Sequence, residues 1–540
     1  MLKSLRFFLL LLTGLSLWAA QPAAASHLQG GDLTYAALGN NRYRVTLHIY
    51  RDCSGILPSP FTLECRNGGC NTAATVTAPF VQVGAAIAGR QYCATLTGIC
   101  GGTVTNSEAY TYSVDVTLPP AAHWVLSTSQ SARPSTTNLA APGDFYLEAT
   151  LNSLVPVGGT TGVAIANNSS VASALPVSYI PWNRLSNVSN NAFDADGDSL
   201  VYTQESPLEA CGTAAAYAPY PQPGGLVVIS TSPLCIFQTP TISNYSAAVP
   251  VYVAYDTTGT CPLKTGTPLF HFNASNGSIQ LQPARYIPSA SAVGDNKYAA
   301  VVKITEFRRI NGSYVQVGTT RRELYFVVYD CGTNTLPRLG PAVTIQTGTG
   351  SGSQNVVQPF GRIIPVLAGE PVSVLVTASD ANAAQTLTLS LDYNAAPGTT
   401  LQNLGGGQAR LTFTPPLSLP TGLYRVAVTA EDNACPLKGL DSQVLTFRVT
   451  GTALATRTST ALAVAAFPNP FTDQVQFQLA TPGVQALTIC DYLGRTVATV
   501  RSQADGTVRW QPAPGLPAGL YLARTAGSTQ TVRLLHNAAQ

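Results

Sequence analysis

Short runs in which apolar and polar residues alternate recur along the whole chain. One of them, Tyr43–Cys53, is joined to an earlier run by the turn sequence Gly39-Asn40-Asn41. Alternation with a period of two is typical of a strand that buries one face, and Gly-Asn sequences between two such runs favour hairpin turns. The 46 Gly, the 38 Pro and the single Met leave little sequence suited to helices. The pattern therefore predicts an all-β protein.

The order of the strand-like runs suggests several domains. A chain of 540 residues has room for them, and one succession of runs between about 190 and 331 returns in shorter form between 376 and 449. Strands of this length, separated by Gly, Pro and Asn turns, predict tandem β-sandwiches. The predicted divisions are a signal peptide at 1–25, a β-domain at 26–185, a first sandwich at 186–335, a second, diverged sandwich at 336–450, a linker at 451–465 and a small β-domain at 466–540.

The N-terminus has the features of an export signal. Lys3 and Arg6 precede the apolar stretch that starts at Phe7, and Ala23-Ala24-Ala25 supplies small residues before Ser26. We therefore expect a Sec signal peptide that is removed before Ser26. No later run approaches the roughly 18 to 20 apolar residues that span a bilayer, so we expect no transmembrane segment in the mature chain.

Charge argues against one class of partner. The net charge is +3 over the whole chain, and Lys and Arg do not cluster among aromatic residues. Nucleic-acid binding needs a basic patch or stripe. We therefore expect no nucleic-acid partner.

The cysteines suit an oxidising compartment. Ten of the 11 cysteines lie outside the C-terminal domain, an even number that favours disulfides in an exported protein. The Cys65-x4-Cys70 spacing could indicate zinc, but no second cysteine pair accompanies it, so disulfides are favoured. A bridge between domains and a free thiol both remain open, because the group from Cys53 to Cys100 is odd in number and Cys435 is isolated.

An acidic turn is the most chemically suggestive stretch in the body of the chain. Asp194, Asp196 and Asp198 alternate just before a predicted strand and supply the hard oxygen ligands that Ca²⁺ prefers. The turn resembles the acidic turn of cadherin-like and related Ig-like bacterial modules, in which calcium rigidifies the joint between domains. A solvated Asp-Gly turn is the alternative interpretation. In the second copy the turn is reduced to Asp380-Ala381-Asn382, so we expect any calcium site to belong mainly to the first copy.

The C-terminal domain carries three short blocks in a fixed order. They contain Pro468, Asn469 and Pro470, then Asp491, Gly494 and Arg495, and finally Gly519 and Tyr521. In these blocks the segment resembles the type A C-terminal sorting domain of type IX secretion. The resemblance implies Sec export to the periplasm, passage through the type IX machinery, removal of the domain, and a product that is anchored to surface lipopolysaccharide or released.

The body of the chain indicates a role through contacts. Its opening, from Ser26 to Cys53, resembles large surface proteins with PKD or gliding-associated modules, and the tandem sandwiches resemble cadherin-like or Ig-like repeats of bacterial surface proteins. No catalytic motif stands out. We expect a non-catalytic adhesion, matrix or gliding-associated protein that contacts glycans or other surface proteins.

An alternative function places a glycan-binding or polysaccharide-degrading site in the N-terminal domain. Aromatic residues there could stack on sugar rings if they form an exposed row, whereas inward-facing rings would remove this interpretation. The candidates are Tyr92, Tyr110, Tyr112, Trp124 and Tyr146.

Overall fold

A computed structural model describes the chain between residues 28 and 537. Its gaps are residues 54, 56, 59, 90, 94–106, 132, 158–159, 174–176, 223, 289–293, 348–355, 359–362, 393–394, 452–465, 480–482 and 526–530. The predicted signal peptide and nearly all of the predicted linker lie outside the described residues. The chain divides into two compact units, Met1–Gly451 and Thr452–Gln540.

All regular structure in the described residues is β-strand, which confirms the predicted all-β class. Up to residue 329, the strands are β1 Leu28–Gly39, β2 Arg42–Asp52, β3 Thr62–Asn67, β4 Val76–Pro79, β5 Val81–Gln82, β6 Ile87–Ala88, β7 Ser107–Thr117, β8 Trp124–Gln130, β9 Phe145–Leu151, β10 Leu154–Val157, β11 Thr160–Ala164, β12 Val171–Ala172, β13 Val177–Pro181, β14 Ser186–Val188, β15 Ala192–Phe193, β16 Ser199–Glu205, β17 Leu208–Ala210, β18 Thr213–Ala214, β19 Leu226–Thr231, β20 Leu234–Gln238, β21 Tyr255–Thr258, β22 Leu263–Pro268, β23 Phe270–Phe272, β24 Ile279–Leu281, β25 Lys297–Ile310 and β26 Ser313–Tyr329.

The remaining strands form the rest of the first unit and the second unit. Those of the first unit are β27 Arg338–Leu339, β28 Ala342–Thr347, β29 Val356–Gln358, β30 Ile363–Leu367, β31 Val372–Ser379, β32 Thr388–Leu391, β33 Thr399–Gly405, β34 Gln408–Phe413, β35 Gly422–Glu431 and β36 Leu440–Thr450. Those of the second unit are β37 Val475–Gln478, β38 Ala486–Asp491, β39 Thr496–Arg501, β40 Thr507–Trp510, β41 Gly519–Thr525 and β42 Thr531–His536.

The long hairpin β25–β26 organises the first unit, because its two faces belong to different cores. Tyr298 and Ala300 of β25 lie in one core, whereas Ala299 between them lies in the other. Phe326 and Tyr325 of β26 are divided in the same way. Side chains of a strand alternate between the two faces of a sheet, so this hairpin is buried on both sides.

This arrangement corrects the predicted boundary near 185. Strands β1 and β9 from the predicted first domain pair with β26, and β13 lies parallel to β26. All of them belong to one 15-stranded sheet that runs from the first strand to β26. The ranges 26–185 and 186–335 therefore share a sheet and do not form two separate sandwiches. The continuous apolar run in β26 indicates burial on both faces, which requires a second layer of structure.

The predicted internal repeat has a counterpart in the sheet topology. In the first copy, β16 is antiparallel to β25, β25 is antiparallel to β26, and β13 is parallel to β26. In the second copy, β32 is antiparallel to β35, β35 is antiparallel to β36, and β30 is parallel to β36. This four-stranded sheet and a six-stranded sheet around β31 and β34 share one core, in which Leu411 packs with Phe447. Residues 338–450 thus form a β-sandwich.

Disulfides connect distant parts of the first unit. The bridges Cys70–Cys211 and Cys93–Cys435 join residues separated by 141 and 342 positions, and a third bridge joins Cys235 to Cys261. Cys53 is also disulfide-bonded. Among the described cysteines, those with free thiols are Cys65, Cys331 and Cys490. The favoured disulfide interpretation is confirmed, because Cys70 is in a disulfide with Cys211 and so is not a zinc ligand.

The aromatic residues proposed for glycan stacking are not on the surface. Each of the five is between 3% and 8% exposed. They are Tyr92, Tyr110, Tyr112, Trp124 and Tyr146. The prediction of an exposed aromatic row is therefore wrong, because all five rings are buried, and those of Tyr92, Tyr110, Tyr112 and Trp124 contribute apolar area to buried clusters.

No helix among the described residues has the length and apolar character needed to cross a bilayer.

Candidate cation site and C-terminal tail

The acidic turn is held by one of its own carboxylates. One oxygen of Asp194, Oδ1, accepts hydrogen bonds from the backbone N–H groups of Asp196 at 3.0 Å and Asp198 at 2.9 Å. Aspartate side chains commonly close turns by such bonds to their own backbone. Gly197 follows at φ 76°, a conformation that glycine adopts without steric cost. The turn therefore fixes the orientation of Asp194.

The second carboxylate oxygen of Asp194 is the observation that indicates a ligand at this site. Asp194 is 4% exposed, and its Oδ2 has no hydrogen-bond partner among the described residues. A buried polar atom without a partner is costly in free energy. Asp198 is likewise only 6% exposed, so the solvated-turn interpretation is wrong for these two residues.

Strand pairing brings a fourth carboxylate to the turn. Strand β16 begins directly after the turn, and its residues Ser199 and Leu200 pair with Phe307 and Glu306 of β25. Glu306 is fully buried, and the carboxylate oxygens of Asp194, Asp198 and Glu306 lie within 4.8 Å of one another. These three residues are hereafter called the acidic cluster.

Asp196 does not belong to the acidic cluster. Its two oxygens accept hydrogen bonds from the backbone N–H of Asn168 at 2.9 Å and from the Asn168 amide at 2.7 Å. It also accepts one from Arg308 at 2.5 Å. Asp196 is thus a partner of the neighbouring loop and of Arg308. The structure thus places the predicted ligand Asp196 apart from Asp194 and Asp198, because alternation in sequence does not by itself direct three side chains to one point.

Arg308 supplies the positive charge at this place. Its Nε and Nη2 donate to the two oxygens of Asp198, each at 2.8 Å. The carboxylate of Glu306 instead accepts hydrogen bonds from two neutral groups, the backbone N–H of Ser170 at 2.6 Å and the side-chain amide of Asn167 at 2.8 Å. The guanidinium of Arg308 therefore pairs with two of the four carboxyl groups, those of Asp196 and Asp198.

The pKa values reflect this excess of acid. Burial, followed by the charges of Asp198 and Asp196, raises the pKa of Asp194 to about 7. Burial, followed by the charge of Asp194, raises the pKa of Glu306 to about 8. Crowded buried carboxyl groups can keep protons or bind a cation. At neutral pH the acidic cluster is therefore suited to either.

The metal-free protein should lose stability as pH rises from 5 to 8.5. The folded state keeps protons on Asp194 and Glu306 that the unfolded chain, with pKa values of about 4, has already released. The stability that these two protonated groups contribute is fully present below pH 4. It disappears as the pH rises through their pKa values in the folded state, and the free energy of unfolding falls by an amount on the order of a few kcal/mol. Thermal melting in EDTA across this range measures it.

The other charged and titratable groups beside the acidic cluster are Asp196, Arg308, Tyr35, Tyr202 and Tyr424. Burial raises the pKa of each of these three tyrosines, so they stay neutral across this pH range. Replacing Glu306 by Gln should make the decline with pH shallower, because one of the two raised groups is removed. A melting temperature that stays constant or rises between pH 5 and 8.5 would contradict this electrostatic account.

The turn also contacts the second sandwich. A Cβ atom added to Gly197 would lie 2.7 Å from Cβ of Pro420 and 3.2 Å from the Tyr424 hydroxyl. The rings of Phe193 and Tyr424 have centroids 6.1 Å apart. The acidic cluster therefore lies at the joint between the large sheet and the sandwich at 338–450.

Glu306 was missed by the sequence analysis, although a signal was present. Val302 and Ile304 precede it at the same alternate positions of β25 and are buried in a core. An acidic residue that continues an inward-facing apolar series requires a polar or ionic partner. That pattern could have identified Glu306.

The second unit is a small sandwich of two sheets. One sheet pairs β37 with β40, and the other has the order β39-β38-β41-β42. Phe477 and Trp510 of the first sheet pack with Ile489 and Leu534 of the second. The unit therefore has a hydrophobic core of its own.

The predicted sorting residues maintain the turns of this sandwich. Asp491 accepts the N–H groups of Leu493 at 3.0 Å and Arg495 at 2.9 Å, and it closes the β38–β39 hairpin, in which Gly494 has φ 81°. The Tyr521 hydroxyl donates to the carbonyl of Pro517 at 2.7 Å.

The entry segment of the tail is attached to the last strand. The Asn469 amide donates to the carbonyl of Arg533 at 2.9 Å, and its oxygen accepts the Leu535 N–H at 2.7 Å. Pro468 and Pro470 flank this residue. All three blocks of the signature therefore lie in one folded unit.

Residues 465–534 match the family model described as the secretion system C-terminal sorting domain. This match indicates type IX sorting. The sorting domain implies a secreted or cell-surface protein and the type IX machinery as a partner, as the resemblance in the three blocks predicted.

Other comparisons add little. No curated protein matches the chain. A crystal structure of the four N-terminal Ig domains of Dscam1 isoform 6.9 matches with 10% identity and a TM-score of 0.20, and the alignment covers 95% of this chain and 100% of that one. The I9–I11 tandem from titin matches with 8% identity and a TM-score of 0.13, covering 69% of this chain and 100% of that one. Likeness at these TM-scores does not bear on function.

Proposed function

We propose that this chain is a non-catalytic modular protein that acts at the cell surface or outside the cell through contacts, in adhesion, in the matrix or in gliding. Export proceeds by Sec, through cleavage before Ser26, and then by type IX secretion. The match of residues 465–534 to the sorting domain is the observation that carries this proposal. Surface lipopolysaccharide, glycans and other surface proteins are the proposed contacts.

The construction of the body supports a role outside the cell. Two long-range disulfides connect its parts, and bonds of this kind persist in oxidising surroundings. Four consecutive aliphatic residues of the edge strand β19, Leu226 to Ile229, are each more than half exposed. Exposed apolar patches of this kind mark contact surfaces more often than chance would give.

We also propose that the acidic cluster holds a calcium ion. Carboxylate oxygens are ligands that Ca²⁺ prefers, and the partnerless Oδ2 of Asp194 fits such a role. The ligands are Asp194, Asp198 and Glu306, with Asp198 shared between the ion and Arg308. A bound ion would neutralise the excess negative charge where the turn contacts the second sandwich and would thereby stiffen this joint.

Deletion of the gene tests the proposed role in contacts. A strain that lacks the protein should attach to surfaces or spread less than its parent. Reintroduction of the full chain should restore this behaviour, whereas a chain that ends at Gly451 should not, since it lacks the sorting domain. Unchanged attachment and spreading, or a hydrolytic activity of the purified protein on polysaccharides, would contradict the proposal.

A further inference from the structure

A cavity with both apolar and polar groups in its wall lies within the first unit, away from the acidic cluster. Its volume is about 120 Å³, and it is lined by β7 and β13 of the large sheet, by β14 and by β32, β35 and β36 of the second sandwich. Two contacts beside the cavity connect the parts of the chain that form its wall. The backbone N–H of Lys438 donates to the carbonyl of Gln91 at 2.8 Å, and Cys93 forms a disulfide with Cys435. The cavity is therefore part of the folded structure.

The wall is rich in hydroxyl groups. Ser390, Thr429 and Ser442 come from three neighbouring strands of the second sandwich, and Ser186 and Ser189 come from the opposite side. Hydroxyl groups both donate and accept hydrogen bonds. Such a lining matches a ligand that also carries several hydroxyl groups.

Two of the three carboxylates at the wall already have a cationic partner. Arg51 donates to Glu108 at 2.7 Å, and Lys438 donates to Glu431 at 3.1 Å. Asp392 accepts hydrogen bonds from the hydroxyls of Ser173 at 3.0 Å and Thr429 at 3.4 Å. Lys438 is thus committed to a carboxylate, which disfavours an anionic ligand. Glu108 and Glu431 are paired with cations, and burial raises the pKa of Asp392 and so favours its neutral form, which together disfavour a cationic ligand.

We propose that this cavity binds one unit of a neutral sugar, either as a free sugar or as a residue of a glycan. A single ordered water needs at least about 10–15 Å³ of such space, so the cavity has room for several waters, and we take it to accommodate one six-membered sugar ring. An ionised carboxylate offers about four acceptor sites, so Glu108, Asp392 and Glu431 can each accept a further hydrogen bond from a sugar hydroxyl, and the serine hydroxyls complete the set. This site differs from the aromatic row considered above and is independent of the export route and of calcium.

Calorimetry and ligand-observed NMR on the full chain test the proposal. The probes are glucose, galactose, mannose and N-acetylglucosamine, each as the free sugar and as the methyl glycoside. At least one should bind. Binding of the glycosides identifies a unit within a glycan, and binding of the free sugars alone identifies a free sugar.

Three variants locate the binding. Ser390→Trp fills the cavity and should weaken binding at least tenfold. Thr388→Trp, two residues earlier on the same strand, is exposed and does not line the cavity, so it should bind like the parent. Asp392→Asn replaces a charged acceptor with almost no change of shape and should weaken binding several-fold. Melting temperatures show which variants are folded.

Three results would overturn the proposal. One is that no probe binds at 10 mM. Another is that a folded Ser390→Trp variant or, if that variant does not fold, Asp392→Asn binds as tightly as the parent. Binding of spermidine or inorganic phosphate in the cavity, with no sugar bound, would also overturn the assigned ligand class.

Discussion

Removal of residues 452–540 is expected to abolish delivery of the protein to the outside of the cell. The second unit has its own hydrophobic core, so its loss should leave the cores of the first unit intact. The truncated chain should therefore fold and remain in the periplasm. Immunoblots of periplasmic, outer-surface and medium fractions measure the change, which we expect to be nearly complete.

A fusion provides the reciprocal experiment. A reporter preceded by residues 1–27 and followed by 452–540 should appear outside the cell, whereas the same reporter without the tail should stay in the periplasm. Normal export of the truncated chain would contradict the sorting role of the tail.

Calcium is expected to raise the melting temperature of the full chain by several degrees relative to EDTA. An ion that binds only the folded state stabilises it by about 2.7 kcal/mol at a concentration 100 times its dissociation constant. Glu306→Gln and Asp194→Asn should each remove most of this shift, because each takes away one of three clustered carboxylates. Differential scanning calorimetry with and without 1 mM calcium measures the effect.

Asp196→Asn is the matched control for these variants. Its side chain binds Asn168 and Arg308 and lies outside the acidic cluster, so the calcium shift should survive the substitution. If Asp196→Asn abolished the shift and Glu306→Gln preserved it, the ligand set predicted from the sequence would replace the one proposed here. If calcium caused no shift in the parent, the calcium site would be wrong.

These experiments use the full chain because of the sheet topology. The sequence predicts a separate sandwich at 186–335, but strand β26 of this range pairs with β1 and β9. Cutting these strands away would expose one face of the β25–β26 hairpin, where Ala299 and Tyr325 are buried. The fragment would therefore report on a different molecule.

The fold class and the tail could be predicted from the sequence because both depend on local patterns. Alternation identifies strands such as β2, and the blocks around Asn469, Asp491 and Tyr521 each act within the tail. The order of pairing was harder to predict. Nothing local in β13 indicates that it lies parallel to β26, whose sequence is separated from it by more than a hundred residues.

The acidic turn could also be predicted because it depends on a local pattern. The proposed ligand set could not be predicted in full because part of it depends on strand pairing. Asp194 shapes its own turn, so its position follows from the adjacent sequence. Glu306 reaches the turn only through the register between β16 and β25, and Asp196 is drawn away by Asn168 of a distant loop. Tertiary pairing of this kind is not encoded in a single motif.

The most direct test of the account is mass spectrometry of both termini of the native protein in outer-surface, medium and periplasmic fractions. The account predicts external chains that begin at Ser26 and end between about residues 450 and 470, as expected after removal of the signal peptide and the sorting domain. Full-length chains that end at Gln540 and accumulate in the periplasm would contradict it.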